Sequence, residues 1–172
     1  VSFVPRAFSI TDINLTHRNW TAVGLPGCEA MPLIDPRGMV TPLLPDGLPF
    51  LSLNDPRISP DGRRLFLSVE GGAIWMIDLD TQTPTLMSEA GFYPLWSPDG
   101  SEMVFSTSRG DSYDVYRRPV DLSQPERLLL DEANNLRTMD WTAQNLLVIR
   151  EEIEDKGMDL KVFMDPDDPN SA

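Results

Sequence analysis

The chain contains 172 residues with an apolar share of 41% and a charged share of 24%, as expected for one soluble domain with its own core. Its formal net charge of −13 opposes binding to nucleic acid or to an anionic membrane, because both would repel it, and favours solubility or a basic partner. The single cysteine, Cys28, excludes an internal disulfide, and no apolar run approaches the ~20 residues that cross a bilayer.

The first feature along the chain is a hairpin pattern that recurs. The segment "LIDPRGMVTPLL" (33–44) reads as an apolar strand, a polar turn and a second strand, and "MIDLDTQTPTLM" (76–87) aligns with it without a gap. The segment "YRRPVDLSQPERLL" (116–129) is a third copy, and "LKVFMDPDDP" (160–169) begins a fourth, which stops where its last strand should begin. A spacing of about 40 residues indicates a repeated structural unit.

A second pattern precedes these hairpins. It occurs in "ISPDGRRLFLSV" (58–69) and "LWSPDGSEMVFSTS" (95–108), more loosely in "MDWTAQNLLVIR" (139–150), and most weakly in "INLTHRNWTAV" (13–23). Together the two patterns give four short strands per unit, with units at 8–50, 51–92, 93–135 and 136–168 in a single domain, 1–172. No segment has a convincing helical period, and 16 prolines and 11 glycines interrupt the chain. The sequence therefore predicts an all-β fold of four-stranded antiparallel sheets.

The repeated Ser-Pro-Asp-Gly segment has the composition of a tight turn. Proline presets φ for the second turn position, aspartate bonds nearby backbone, and glycine tolerates positive φ. A phosphate-binding loop would need a lysine and a following helix, and an EF-hand would need alternating acidic groups between helices. Neither pattern is present, so the segment is predicted to be structural.

Two stretches resemble a known family repeat. "SPDG" followed by "RRLFLSV" and "IWMIDLD", and "WSPDG" followed by "EMVFSTS" and "DVYRRPVD", are similar to the WD40-like, TolB-type β-propeller repeat. The resemblance is firm over 50–165 and loose over 13–50. Members include the periplasmic TolB translocation protein and propeller domains of bacterial Ser/Thr kinases and prolyl-oligopeptidase-type peptidases. The resemblance implies a binding or gating scaffold and a periplasmic or otherwise extracytoplasmic location, with the cytoplasm left open.

About four blades, the last incomplete, would leave unpaired edges unless something closes the ring. Three arrangements remain open. The chain is a fragment or shortened form of a larger propeller, or two chains complete one ring as a homodimer, or "VSFV" (1–4) supplies the missing strand of a four-bladed ring.

The search for chemistry predicts no enzyme and no cofactor. The only histidine, His17, lies in a predicted turn. Without a second histidine or a cysteine cluster, the sequence has no zinc site of the usual type. A Ser-His-Asp triad would have to use His17 as its base, since no other histidine is present. Acidic groups recur at the hairpins, where turn formation is favoured over calcium binding. These groups are Asp78, Asp80, Asp121, Asp165, Asp167 and Asp168.

The predicted function is non-catalytic binding of a protein or peptide through loops, without nucleic acid and without membrane insertion. Phe92 and Tyr93, in a loop beside Pro94, are predicted to be exposed contacts. The charged segment "EEIEDKGMD" (151–159) is predicted to be a mobile hairpin loop for a basic partner. The full set of candidate residues is Phe92, Tyr93, Arg109, Asp111, Glu151, Glu152 and Glu154.

Two other functions remain open. One is a sensing or substrate-gating propeller domain of a larger kinase or peptidase. The other is a lyase-type enzyme, which would need several convergent polar groups at the channel of the propeller.

Overall fold

A computed structural model describes residues 21–22, 32–34, 40–42, 53–109, 112–154 and 156–166. All the regular structure in these residues is β-strand, and the described part contains no helix. The prediction of an all-β fold is therefore confirmed.

The strands form four antiparallel sheets in chain order. The first sheet has three described strands: β1 (Thr21–Ala22), β2 (Pro32–Ile34) and β3 (Val40–Pro42). The second has four: β4 (Leu53–Ile58), β5 (Arg64–Val69), β6 (Ile74–Asp78) and β7 (Pro84–Ser88). The third has β8 (Phe92–Trp96), β9 (Glu102–Ser108), β10 (Tyr113–Pro119) and β11 (Arg127–Leu130). The fourth has three described strands: β12 (Asn135–Trp141), β13 (Leu147–Ile153) and β14 (Gly157–Phe163). In each sheet, strands adjacent in sequence pair with each other, as in a propeller blade.

The central strands of the second and third sheets are apolar on both faces because both of their faces are buried. In β5, Leu65 and Leu67 belong to one buried cluster and Phe66, between them, belongs to another. In β9, Met103 and Phe105 face the second sheet while Val104 belongs to the cluster shared with the fourth sheet. The near-continuous apolar runs seen in the sequence follow from this double coverage.

Trp96 joins the second sheet to the third. Its ring stacks on Phe66 with centroids 3.7 Å apart and planes 13° from parallel. Its indole Nε1 donates a 2.8 Å hydrogen bond to the Arg57 carbonyl oxygen of β4. Trp141 has the corresponding place one sheet later, inside the cluster between the third and fourth sheets.

The two Ser-Pro-Asp-Gly segments are tight turns, as predicted. The amide of Gly62 donates to the Ser59 carbonyl at 2.9 Å, and Gly62 has a φ of 71°. In the second copy Gly100 bonds the Ser97 carbonyl at 2.9 Å with a φ of 73°. In the third copy, the segment 142–145 makes the same turn with Asn145 at a φ of 64°. Each turn connects the first strand of a sheet to the second and fixes their register.

The aspartates of these turns are bound to the turn itself. Asp99 Oδ1 accepts from Ser97 Oγ at 2.6 Å and from the Ser101 amide at 3.0 Å, and these bonds hold the pKa of Asp99 below its ordinary value. Asp78, the last residue of β6, accepts from the Thr81 amide at 2.7 Å and has a pKa lowered chiefly by that bond. Both side chains therefore close turns.

Candidate functional site

The first strands of the second, third and fourth sheets contact one another in series, so β8 touches both β4 and β12. Each of these strands is interrupted by an irregularity in its pairing, at 54–57, 92–95 and 138–140. Asp55 and Tyr93 lie inside the first two irregularities with φ of 52° and 55°. Such bulges turn side chains away from the regular alternation of a strand and are common next to functional sites.

Polar bonds connect the three bulges. The Asp55 carboxylate accepts from Ser68 Oγ at 2.8 Å and from the Tyr93 amide at 3.4 Å, which links the second sheet to the third. Thr138 Oγ1 donates to the Tyr93 carbonyl, and the Thr138 amide donates to Ser106 Oγ at 3.0 Å. Tyr93 is therefore held from both sides, and its side chain is presented by a fixed backbone.

The Tyr93 cluster is defined as Tyr93 of β8, Arg137 of β12 and Glu152 of the adjacent strand β13. Arg137 donates from Nη1 to the Tyr93 hydroxyl at 3.2 Å, and its guanidinium lies 5.5 Å from the centre of the Tyr93 ring. Arg137 Nη2 is 3.5 Å from a carboxylate oxygen of Glu152. The side chains of Arg137 and Glu152 are 30% and 49% exposed, so the cluster is open to solvent.

The structure thus brings together two of the predicted residues, Tyr93 and Glu152, through a third that the sequence did not indicate. Arg137 lies in the strand "NLRTMDW", where its neighbours Leu136 and Thr138 are buried and Arg137 is half-buried. Strand alternation was the one available signal, since it places Arg137 on the face opposite to Leu136.

The predictions for Phe92 and Tyr93 need correction. Both residues lie in strand β8 and not in a loop, and both are half-buried. Phe92 covers Gly72, where an added Cβ atom would come within 2.9 Å of Phe92 Cζ, and its ring packs edge-on against Tyr113 at 6.2 Å. Phe92 is a packing residue, while Tyr93 keeps a polar end that Arg137 contacts.

The predicted mobile loop over 151–159 is also wrong. Glu151 and Glu152 lie in β13, the turn begins at Glu154, and Gly157 starts β14. Glu151 faces inward, is 5% exposed, and accepts a 2.7 Å hydrogen bond from Asn134 Nδ2. This bond and Lys161, 3.1 Å away, lower the pKa of Glu151 despite its burial. Glu151 is therefore a structural ion-pair partner, while Glu152 and Glu154 are exposed.

The remaining predicted residues lie elsewhere. Arg109 pairs with Glu126 and lies 4.3 Å from the centre of the Tyr116 ring, beside a cleft of about 520 Å³ between β7 and the third sheet. Asp111 lies outside the described residues, as do His17 and Cys28.

Within the described ranges, no three acidic, histidine or cysteine side chains are placed to hold a metal ion. The same ranges contain no helix long and apolar enough to span a bilayer. What this part of the chain presents is a surface with an aromatic ring, a guanidinium and carboxylates. These groups suit recognition of polar and charged side chains.

Comparison with known proteins supports the same architecture. No family model matches the chain. The structure of TolB from Acinetobacter baumannii superposes with a TM-score of 0.72 at 20% identity, over 84% of this chain and 38% of that chain. A structure assigned as TolB from Agrobacterium tumefaciens has a TM-score of 0.70 at 18% identity, over 86% of this chain and 57% of the other. The tricorn protease is also similar, with a TM-score of 0.60 at 12% identity over 83% of this chain and 15% of that one.

In sequence, the chain is 34% identical over 88 residues to the protein Atu1656 of Agrobacterium fabrum. The aligned segment covers 48% of this chain and 30% of that protein. The chain spans less than two thirds of the length of each of these relatives.

The four successive antiparallel sheets, the turns between their first two strands and the stacking through Trp96 define a WD40-like β-propeller fold. Within that class the fold is of the TolB type, shown by the superposition on the TolB structures. The sheets in the described residues form an open and incomplete propeller.

Proposed function

We propose that this chain is a non-catalytic β-propeller module that binds a protein or peptide partner at the Tyr93 cluster and the neighbouring loops. The observation that carries the proposal is the contact of Arg137 with both the Tyr93 ring and the Glu152 carboxylate on a solvent-open surface. Tyrosine and arginine are the residue types that most often dominate binding energy at protein interfaces.

Rigid presentation is the proposed mechanism. The hydrogen bonds that hold Tyr93 and Thr138 fix the backbone on both sides of the cluster, so little conformational freedom is lost on binding. Arg137 would donate to carboxylate or carbonyl oxygens of the partner, and Glu152 and Glu154 would accept from basic side chains. The net charge of −13 would speed encounter with a basic partner.

The TolB-type resemblance supports an extracytoplasmic location and an envelope protein as partner. For assembly, we propose a homodimer in which a second chain supplies sheets to the incomplete propeller. Neither proposal depends on catalytic residues in this chain.

A second candidate function has its own support. Similarity to the tricorn protease and to the propeller domain of the Trilobed protease from Pyrococcus furiosus favours a gating or sensing propeller that belongs to a larger enzyme. A hydrolase or kinase segment encoded beside this one would favour that function.

The test is an array of immobilised peptides, varied in charge and aromatic content, probed with the full chain. Wild-type protein is expected to bind a subset, and Tyr93→Ala and Arg137→Ala are each expected to weaken that binding at least about tenfold, which corresponds to about 1.4 kcal/mol. Arg63→Ala, an exposed arginine in the first Ser-Pro-Asp-Gly turn at the other end of the strands, is the control matched to Arg137→Ala and should bind like wild type. Equal binding by wild type and both cluster variants would overturn the proposal.

A further inference from the structure

The outer cleft is the space of about 520 Å³ between β7 of the second sheet and the outer strands of the third sheet. The same two sheets are in contact at their inner strands, where the Trp96 ring stacks on Phe66 at 3.7 Å. The cleft therefore lies between two consecutive sheets that pack against each other. Its volume is in the range of small-molecule sites, about 300–1,000 Å³.

Arg118, in β10, lines the cleft and has no acidic partner among the described residues. Its Nη1 donates to the Met87 carbonyl of β7, and its Nε is buried without a hydrogen-bond partner in the described ranges. Its neighbour Arg117 differs, because Nε and Nη2 of Arg117 both donate to the Glu102 carboxylate. A buried guanidinium donor without an acceptor costs free energy that a bound oxygen atom would recover.

The acidic residues of the cleft do not fill this role. Glu126 Oε1 accepts from Arg109 Nη2, and Glu126 Oε2 accepts from the Ser88 hydroxyl at 3.2 Å. Both carboxylate oxygens of Glu126 are therefore occupied by other donors. Glu89, the second acidic residue that lines the cleft, is exposed to water. No carboxylate of the described chain is thus held against the Arg118 guanidinium.

The lining of the cleft indicates which anion would fit. A guanidinium pairs well with carboxylates and with phosphates. Glu89 and Glu126 also line the cleft of a chain with a net charge of −13, and they oppose a dianion more strongly than a monoanion. Leu86, which is 38% exposed, and Ala90 offer apolar surface in the same cleft. The chemistry therefore favours a carboxylate joined to a short apolar group.

We propose that the outer cleft is a binding site for a carboxylate attached to a short apolar group, carried by a free organic acid or by the C-terminal residue of a peptide. Arg118 binds the carboxylate, while Leu86 and Ala90 cover the apolar group. The site goes beyond the partner binding proposed at the Tyr93 cluster and does not depend on it. Tyr93 lies on β8, at the opposite edge of the third sheet from β11.

The test is a titration of the ¹⁵N-labelled full chain followed by nuclear magnetic resonance. The probes are hexanoate, the dipeptide acetyl-Gly-Leu with a free C-terminus, the same dipeptide with an amidated C-terminus, and inorganic phosphate. Hexanoate, the free dipeptide or both should give saturable shifts of the Ser88 and Ala90 amide signals. A response to both supports recognition of the carboxylate in either setting, and a response to one supports the site and names its source. The amidated dipeptide and phosphate should bind at least about tenfold more weakly, because each lacks a monovalent carboxylate.

Two variants test the roles given to the residues. Arg118→Gln should weaken binding of the carboxylate probes at least about tenfold. Ala90→Trp fills the cleft and should abolish binding, although the hydrogen bonds of Ser88 to the Ala90 backbone can persist. Arg150→Gln is the matched control, since Arg150 is also half-buried with an unpartnered Nε but lies in the fourth sheet.

Circular dichroism establishes that the variants keep the β-sheet spectrum, and Ala90→Trp decides alone if Arg118→Gln does not fold. Tyr93→Ala should bind the carboxylate probes like wild type, and Arg118→Gln should keep binding to the peptide array, so the two proposals can fail separately. The absence of saturable shifts with either carboxylate would overturn the site. So would equal binding of the amidated and free dipeptides, or full binding by a folded Arg118→Gln variant.

Discussion

At the scale of single residues, Asp99 shows how a four-residue motif becomes a fixed turn. Its carboxylate accepts from the Ser97 hydroxyl and the Ser101 amide, while Gly100 takes the positive φ that ends the turn. All the groups needed lie within a few residues of one another. Local chemistry of this kind could be predicted from the sequence, and the structure confirms it.

Asp99→Ala should lower the free energy of unfolding by about 1 kcal/mol, because it removes these bonds from a mostly exposed carboxylate. Urea unfolding at neutral pH measures the loss. Asp80→Ala is a suitable control, since Asp80 is an exposed aspartate in the β6–β7 turn whose carboxylate is not the turn acceptor. A loss in Asp80→Ala as large as in Asp99→Ala would contradict the role given to Asp99.

The turn aspartates also predict an acid dependence. Hydrogen bonds lower the pKa of Asp78 and Asp99 from the ordinary 3.8, so the unfolded chain binds more protons than the folded chain around that pH. Their contribution to stability is therefore complete above pH 3.8 and is lost as the pH falls through the folded values. The difference in unfolding free energy between wild type and Asp99→Asn should shrink as the pH is lowered below about 4. A difference that grows toward acid pH would have the wrong sign.

At the scale of elements, the contacts between sheets decide what the sequence could and could not predict. Trp96 stands at a repeat-equivalent position, so its packing between sheets could be predicted from the repeat alone. Glu151 could not, because its partners are Asn134 and Lys161, which approach only after β12, β13 and β14 pair. A run of charged residues is typical of a loop, yet Glu151 continues the buried alternation of Leu147 and Ile149.

The same limit applies to Phe92 and Tyr93. Gly91 and Pro94 beside them are typical of a loop, but a bulge in β8 accommodates the proline within the strand. The role of Arg137 could not be predicted because it depends on the neighbouring sheet, which supplies Tyr93.

Trp96 tests the joint between the second and third sheets. Trp96→Phe keeps an aromatic ring on Phe66 but removes the hydrogen bond to the Arg57 carbonyl, and should cost about 1 to 2 kcal/mol. Trp96→Ala also leaves a cavity and should cost about 3 to 5 kcal/mol. Denaturant unfolding of both variants gives the two values, and equal stability of the two variants would count against the stacking.

Gly91 tests the close approach of β6, β9 and the connection between the second and third sheets. A Cβ atom at Gly91 would lie 2.6 Å from Phe105 Cδ2 and 2.8 Å from Ile74 Cδ1, and both side chains are fully buried. Gly91→Ala should therefore destabilise the protein by about 1 to 3 kcal/mol through overpacking. A variant with the wild-type melting temperature would contradict this prediction, because it would show that Phe105 and Ile74 shift to admit the methyl group without cost.

At the scale of the whole molecule, one strand pattern is used repeatedly, and the third and fourth sheets each bury a face of the sheet before them. The repeat and its fold could be predicted from spacing and turn chemistry. The number of sheets in the working assembly could not, because it depends on what covers the open apolar face of the fourth sheet. That face exposes Met158, Leu160 and Val162, and it also carries Arg137 and Glu152 of the Tyr93 cluster.

The central claim is that successive sheets pack face to face, and nuclear Overhauser contacts in the full chain measure this most directly. Cross-peaks are predicted between the ring protons of Phe66 and the indole of Trp96, and between the methyl groups of Val115 and Ile149 across the next interface. A spectrum in which each sheet shows only its own internal contacts, without either set of cross-peaks, would contradict it.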